Sequence, residues 1–128
     1  MQNEKAYVHA RTGTMIPVPG GKQIKEMIGR VHSGSDAVSL AYMVAPAGWG
    51  EPPQTPEFGE LTIVLRGRVQ VEVDGETVEV AGGEAIWTPP GVRVHFGNPF
   101  EEEAEYYAVC FPAFSPELAN REDQSPGA

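Results

Sequence analysis

Cysteine is almost missing from this chain. Cys110 is the only one in 128 residues, which excludes an intrachain disulfide framework. No apolar run approaches the ~20 residues a membrane-spanning helix needs. The opening Met1-Gln2-Asn3-Glu4-Lys5 holds no apolar signal region, so a reducing cytoplasm is the expected compartment. Bases are scarce, 9 against 18 acids, for a net charge of −9. The shortage is worst in residues 65–128, with twelve acids and four bases. That half would repel phosphate backbones and anionic membrane surfaces, so neither nucleic acid nor membrane is an expected partner. Histidine is limited to His9, His32 and His95. Helix-period patterning of useful length is also lacking before the C-terminus, which argues against a helical bundle.

What the chain does have is turn residues and short alternating segments. Its 15 glycines and 12 prolines are spread along the length, and 41% apolar residues suffice for one core. Strands are expected over 24–31 and 38–45, the second with Val38, Leu40, Tyr42 and Val44 on one face. Residues 48–59 carry three prolines and cannot form a regular central strand. A strand over 60–65 ends at Gly67. Val69, Val71 and Val73 then alternate with polar residues up to Asp74-Gly75, and Val78 and Val80 resume the pattern. That is the strongest hairpin signal in the chain, because Asp-Gly accepts the positive φ of a type I′ turn. Further strands are expected over 85–88, 92–96 and 104–111, separated by Gly82-Gly83, Pro89-Pro90-Gly91 and Gly97-Asn98-Pro99. Ser115-Pro116-Glu117 can cap a short helical turn. Residues 122–128 read as a disordered tail. The pattern predicts one all-β domain, a sandwich or barrel over residues 1–121.

Two stretches carry a more specific spacing. Gly48 is followed after five residues by Gln54, Thr55 and Pro56, then by Glu60 and Gly67. Further on, Gly83, Pro89, Gly91, Val94 and Asn98 form a second set. Together they resemble the two motifs of the cupin superfamily, G(X)5HXH(X)3–4E(X)6G and G(X)5PXG(X)2H(X)3N. The resemblance implies a single-domain double-stranded β-helix, or jelly-roll barrel, with a small-molecule site in its mouth. It also implies a divalent metal held by three histidines and a glutamate. Here Gln54, Pro56 and Val94 stand at the histidine positions, and only Glu60 is kept. Phe58-Gly59-Glu60 is also similar to histidine-poor cupins of ethanolamine utilisation. Gly67, Gly83, Gly91 and Pro89 need no family to explain them, since they are turn positions.

The resemblance places Glu60 in the barrel mouth. Alternation then puts Glu60, Thr62 and Val64 on one face and Leu61, Ile63 and Leu65 on the other. A buried carboxylate needs a partner, a metal or a proton, so Glu60 is the candidate catalytic residue. Gln54, Thr62, Val94, Phe96 and Trp49 are the candidate ligand contacts beside it. No metal is expected. Were one bound, Gln54, Glu60 and His95 would be its ligands, yet His95 alternates away from Val92, Val94 and Phe96 and reads as an outer-face residue unless a bulge turns it inward. His9 and His32 read as structural or exposed. Glu51, Glu57 and Glu60 suggest an acidic rim that would favour a cationic or hydroxyl-bearing ligand, or simply a solvated loop. Cys110 reads as an inert buried thiol. Among the aromatics, Phe58, Trp87, Tyr106 and Tyr107 divide between core and pocket. Leu61, Ile63 and Leu65 need cover, for which a homodimer is expected. Three functions follow: a metal-free small-molecule-binding module; a metal-independent isomerase, epimerase or lyase on a sugar or small acid, with Glu60 as general acid or base; and a metal-dependent enzyme with a rebuilt ligand set.

Overall fold

The computed structural model describes residues 6–122. The segments 1–5 and 123–128, which include most of the expected tail, lie outside the described residues. Glu122 is placed, and its amide donates to the Pro53 carbonyl oxygen at 2.9 Å.

Strands β1 (Thr14–Met15), β2 (Gln23–Ile28), β3 (Ser39–Ala45), β4 (Gly59–Arg66), β5 (Arg68–Val73), β6 (Glu76–Ala81), β7 (Ala85–Thr88), β8 (Val94–Gly97) and β9 (Ala104–Phe111) precede one short helix, α1 (Pro116–Ala119). They form a six-stranded sheet in the order β1-β2-β3-β9-β4-β7 and a three-stranded sheet in the order β6-β5-β8. Neighbours run antiparallel. This is the jelly-roll barrel that the cupin resemblance implies, within the sandwich-or-barrel class that the turn spacing predicts.

The turns form where the sequence places them. Asp74 and Gly75 both take positive φ, 51° and 78°, which matches the right-handed twist of β5 and β6. Gly67 has φ 75°, and a Cβ there would strike the Glu103 carbonyl oxygen. Ser115 caps α1 by accepting from the Leu118 amide at 3.2 Å. β2 stops at Ile28, short of the expected Val31. The chain turns there because the Glu26 carboxylate takes up the amides of Val31 and His32, each at 2.8 Å.

The core lies between the two sheets. Ala45, Val64, Ala104 and Tyr106 come from the large sheet, and Val69, Val71, Val80, Val94 and Phe96 from the small one. A smaller cluster of Phe58, Cys110 and Ala119 packs with Phe114 and Leu118 beside α1. β3 and β9 turn small residues inward: Ser39, Ala41 and Ala45 from one, Ala104, Ala108 and Cys110 from the other. The large residues of β3 that alternate most visibly, Leu40, Tyr42 and Val44, point the other way. Small inward residues facing one another leave space, and that space is the cavity described next.

Candidate functional site

Between the two apolar clusters lies a cavity of about 210 Å³. Ile24, Met43, Phe58, Phe96, Ala108 and Phe114 are among its apolar walls, and Lys22, Glu51, Gln54, Glu60 and Arg121 are its polar residues near the loop 48–58. β4 delivers Glu60. It is paired with Cys110 of β9 on one side and Thr88 of β7 on the other, so its side chain points into the barrel. Its Oε1 is closed off from solvent and meets no donor. Thr62 Oγ1, further along the same face, is likewise buried without a partner.

The loop from 48 to 58 folds across the barrel end and is tied down by its own backbone. Gln54 exchanges both backbone hydrogen bonds with Val94, at 2.9 and 2.8 Å, and the Glu51 amide donates to Phe96 at 3.3 Å. These bonds aim the Gln54 and Glu51 side chains into the cavity. Lys22 enters from the start of β2, directly after the Gly20-Gly21 turn. Its side chain is only 5% exposed. The ammonium lies 3.9 Å from Glu51 Oε1, 4.0 Å from the centre of the Trp49 ring and 5.2 Å from that of Tyr106. Arg121 enters from the segment after α1. It donates from Nε and Nη2 to Gln54 Oε1 at 3.3 and 3.1 Å and sits 3.8 Å from Glu51 Oε1. A guanidinium with a planar donor fork suits this double contact.

Burial sets the acid–base character of the cluster. Desolvation pushes the Glu60 carboxyl up to about 7, and the Glu51 charge adds to the rise, while Lys22 and Arg121 pull against it. Desolvation also lowers Lys22, although Glu51 and Glu60 favour its charged form. The Tyr106 phenol and the Cys110 thiol are both pushed up, chiefly by burial and further by Glu60. Glu60 is therefore placed to exchange a proton near neutral pH.

The sequence-derived candidates separate on inspection. Glu60, Gln54 and Phe96 line the cavity. Trp49 is buried beneath Lys22 and forms its platform. Thr62 and Val94 face inward as expected but sit in the packed part of the barrel, outside the cavity lining. The acidic rim is not assembled: Glu57 is exposed and accepts from Asn120 Nδ2 at 3.0 Å, and Glu51 is matched by two cations. His95 is on the outer face, 3.4 Å from Glu72, His32 Nδ1 is bonded to Thr14 Oγ1 at 2.9 Å, and His9 is exposed. Cys110 is buried as expected. Lys22 and Arg121 were not among the candidates.

The residues present do not fit a divalent metal. Gln54 Oε1 is occupied by Arg121, Pro56 has no side-chain donor, and Val94 is packed in the core. Glu60 alone is left, beside two cations that oppose a third. Among the described residues no three His, Cys, Asp or Glu side chains are grouped to hold a metal.

Comparison with known proteins agrees with the fold. The family model described as "Cupin domain" matches residues 41–110. A protein of Myxococcus xanthus (strain DK1622), "Endoribonuclease YbeY", is 42% identical over 119 residues, which are 93% of this chain and 40% of that protein. "Acetate kinase EutQ" of Salmonella typhimurium (strain LT2) is 31% identical over 61 residues, 48% of this chain and 26% of that protein. The chain therefore spans less than half the length of these curated relatives. The solved structure of the polyketide cyclase RemF from Streptomyces resistomycificus superposes with a TM-score of 0.73 at 22% identity, covering 95% of this chain and 89% of that one. With the matched family model spanning both motif stretches, and the jelly-roll barrel around them, the chain belongs to the cupin family.

Proposed function

We propose that this cupin binds a small organic molecule in its barrel without the family's metal, the positive charge of the site coming from Lys22 and Arg121. The observation that carries this reading is Glu60: a carboxylate inside a cavity, with one oxygen buried and unpartnered. Holding such a group costs stability. A ligand that meets the orphan oxygen recovers part of that cost, which is the usual reason such groups persist at functional sites. A thermal-shift screen of the full chain against small metabolites, with and without chelator, tests the reading. Saturable, chelator-insensitive stabilisation is expected. Shifts that appear only with added divalent metal would overturn it.

A second reading has its own support. An acid that titrates near 7 beside a lysine is suited to proton transfer, so Glu60 would serve as general acid or base in a metal-independent isomerase, epimerase or lyase. Glu60→Gln separates the two, since an enzyme loses turnover and keeps binding. The activities named for the Myxococcus and Salmonella relatives belong to proteins of which this chain matches only part.

The same proposal treats residues 1–121 as one cytoplasmic domain that pairs as a homodimer. The outer face of the large sheet supports pairing. Leu61, Ile63, Leu65, Trp87, Tyr107 and Phe111 lie there, with Trp87 51% and Phe111 43% exposed. A contiguous apolar surface of this kind seeks cover. Sedimentation velocity should find a dimer that Ile63→Glu converts to monomer, whereas a monomeric parent chain would exclude this pairing.

A further inference from the structure

The distribution of charge in the cavity points to the class of its ligand. This inference rests on the reading of the cavity as a ligand site. Aliphatic and aromatic side chains wall most of the cavity. Glu26 and Arg30 also line it, one charge of each sign, and the remaining charge is gathered in one cluster near the loop 48–58. In that cluster Lys22 and Arg121 face Glu51, leaving one positive charge uncompensated whenever Glu60 carries its proton. The protonated Glu60 also offers an O–H donor, and its buried Oε1 has nothing to bond to. A neutral ligand would leave the surplus charge unbalanced, and an amine would add to it. A ligand with two or more negative charges would overshoot it, because the cluster holds only these two cations. One negative charge on an apolar body satisfies both ends.

We propose that the cavity takes a small monocarboxylate with an aliphatic or aromatic body, its carboxylate set among Lys22, Arg121 and the Glu60 carboxyl. The two cations then neutralise the ligand and Glu51 together, and Glu60 shares its proton with the ligand carboxylate in a short charge-assisted hydrogen bond. The apolar body lies against Ile24, Met43, Phe96 and Phe114. Binding is thereby coupled to the protonation of Glu60. The other titratable groups facing Glu60 from neighbouring elements are Glu51, Lys22, Arg121, Tyr106 and Cys110. Tyr106 and Cys110 stay protonated throughout the neutral range, and loss of the Lys22 proton, which its burial favours, weakens anion binding in the same direction.

Isothermal titration of the full chain with hexanoate and benzoate, against hexanol, benzyl alcohol, hexylamine and benzylamine, tests this at pH 6 and pH 8. The two acids should bind and the alcohols and amines should not. Affinity for the acids should fall roughly tenfold from pH 6 to pH 8, because the competent protonated fraction falls by that factor for a group titrating near 7. Lys22→Met and, independently, Arg121→Met should each weaken the acids by roughly tenfold, as expected for loss of one partner of a charged pair. The exposed Arg121 variant serves if the buried Lys22 variant misfolds. Glu60→Gln should remove the pH dependence. Alcohols or amines that bind as tightly as the acids would overturn the charge assignment while leaving a ligand cavity in place. Absence of acid binding at pH 6 would also overturn it, and the ligand-site reading falls with it only if the metabolite screen gives no saturable shift.

Discussion

Glu60→Gln should raise the stability of this protein above pH 7. The folded state holds the Glu60 carboxyl at about 7 because burial disfavours its charge, against the ordinary value of 4.5 from which it is shifted. Between those two values the folded chain keeps a proton that the unfolded chain has lost. Stability therefore declines as pH rises from 4.5 to about 7, and the deficit is complete above that. A gap of this size corresponds to on the order of 3 kcal/mol, or roughly 10 °C in Tm for a domain of this length. Glutamine keeps the shape and carries no charge to bury, so it escapes the deficit. Thermal unfolding of both proteins should diverge at pH 8 and converge toward pH 4.5. A variant less stable than the parent at pH 8 would mean that Glu60 is satisfied in its ionised form, and the orphan oxygen would lose its significance. A residue kept at such a cost fits the common trade of stability for function.

Asn98→Ala should produce the largest loss of stability of any substitution outside the core. Asn98 is fully buried. Its Nδ2 donates to the carbonyl oxygens of Ala45, Pro46 and Glu102 at 3.2, 3.2 and 2.8 Å, and its Oδ1 accepts from the Phe100 amide at 3.2 Å. Its backbone also bonds Trp49 and Gly48, at 2.6 and 2.7 Å. One side chain thus ties the end of β3, the end of β8 and the approach to β9. Alanine leaves several buried backbone groups without partners, at about 3–4 kcal/mol in total. Urea denaturation should show a lower midpoint with an unchanged slope. The site feels the same change, because the loop that Asn98 holds includes Trp49, the platform beneath Lys22. Asn98→Asp should be at least as damaging, since it sets carboxylate oxygens against carbonyl oxygens. A loss under about 1 kcal/mol, the range of ordinary surface changes, would show that the tie is dispensable.

Much of the barrel was legible because local chemistry and global fold agree. Asp74-Gly75 marks a turn whatever surrounds it, and the valines on either side fix the register of β5 and β6. Val92, Val94 and Phe96 alternate cleanly with Arg93 and His95, and the alternation alone places His95 outside. The cavity was not legible, because it is made by residues that are small. Ser39, Ala41 and Ala108 attract no notice in a reading that follows large apolar residues, yet their size is what leaves the space.

The site divides along a similar line. Glu60 and Gln54 are recoverable from spacing within one motif. Lys22 and Arg121 lie far from them in sequence, near opposite ends of the chain, and only the folded barrel brings all four together. The Gly20-Gly21 turn just before a strand was the one local hint for Lys22. Arg121 fell where the chain reads as leaving the domain. Thr62 and Val94 show a different limit: alternation tells which residues face inward, but not how far down the barrel the packed core begins.

Metal content is the most direct measure of whether this cupin works without the family's ion. The chain should be purified without a histidine tag and without added metal, then analysed for iron, nickel, zinc and manganese. With Gln54, Pro56 and Val94 at the histidine positions and Lys22 and Arg121 beside Glu60, metal should be found far below one ion per chain, and chelator should change neither Tm nor ligand binding. One equivalent of a chelator-resistant transition metal would contradict the charged cluster as the working form of the site.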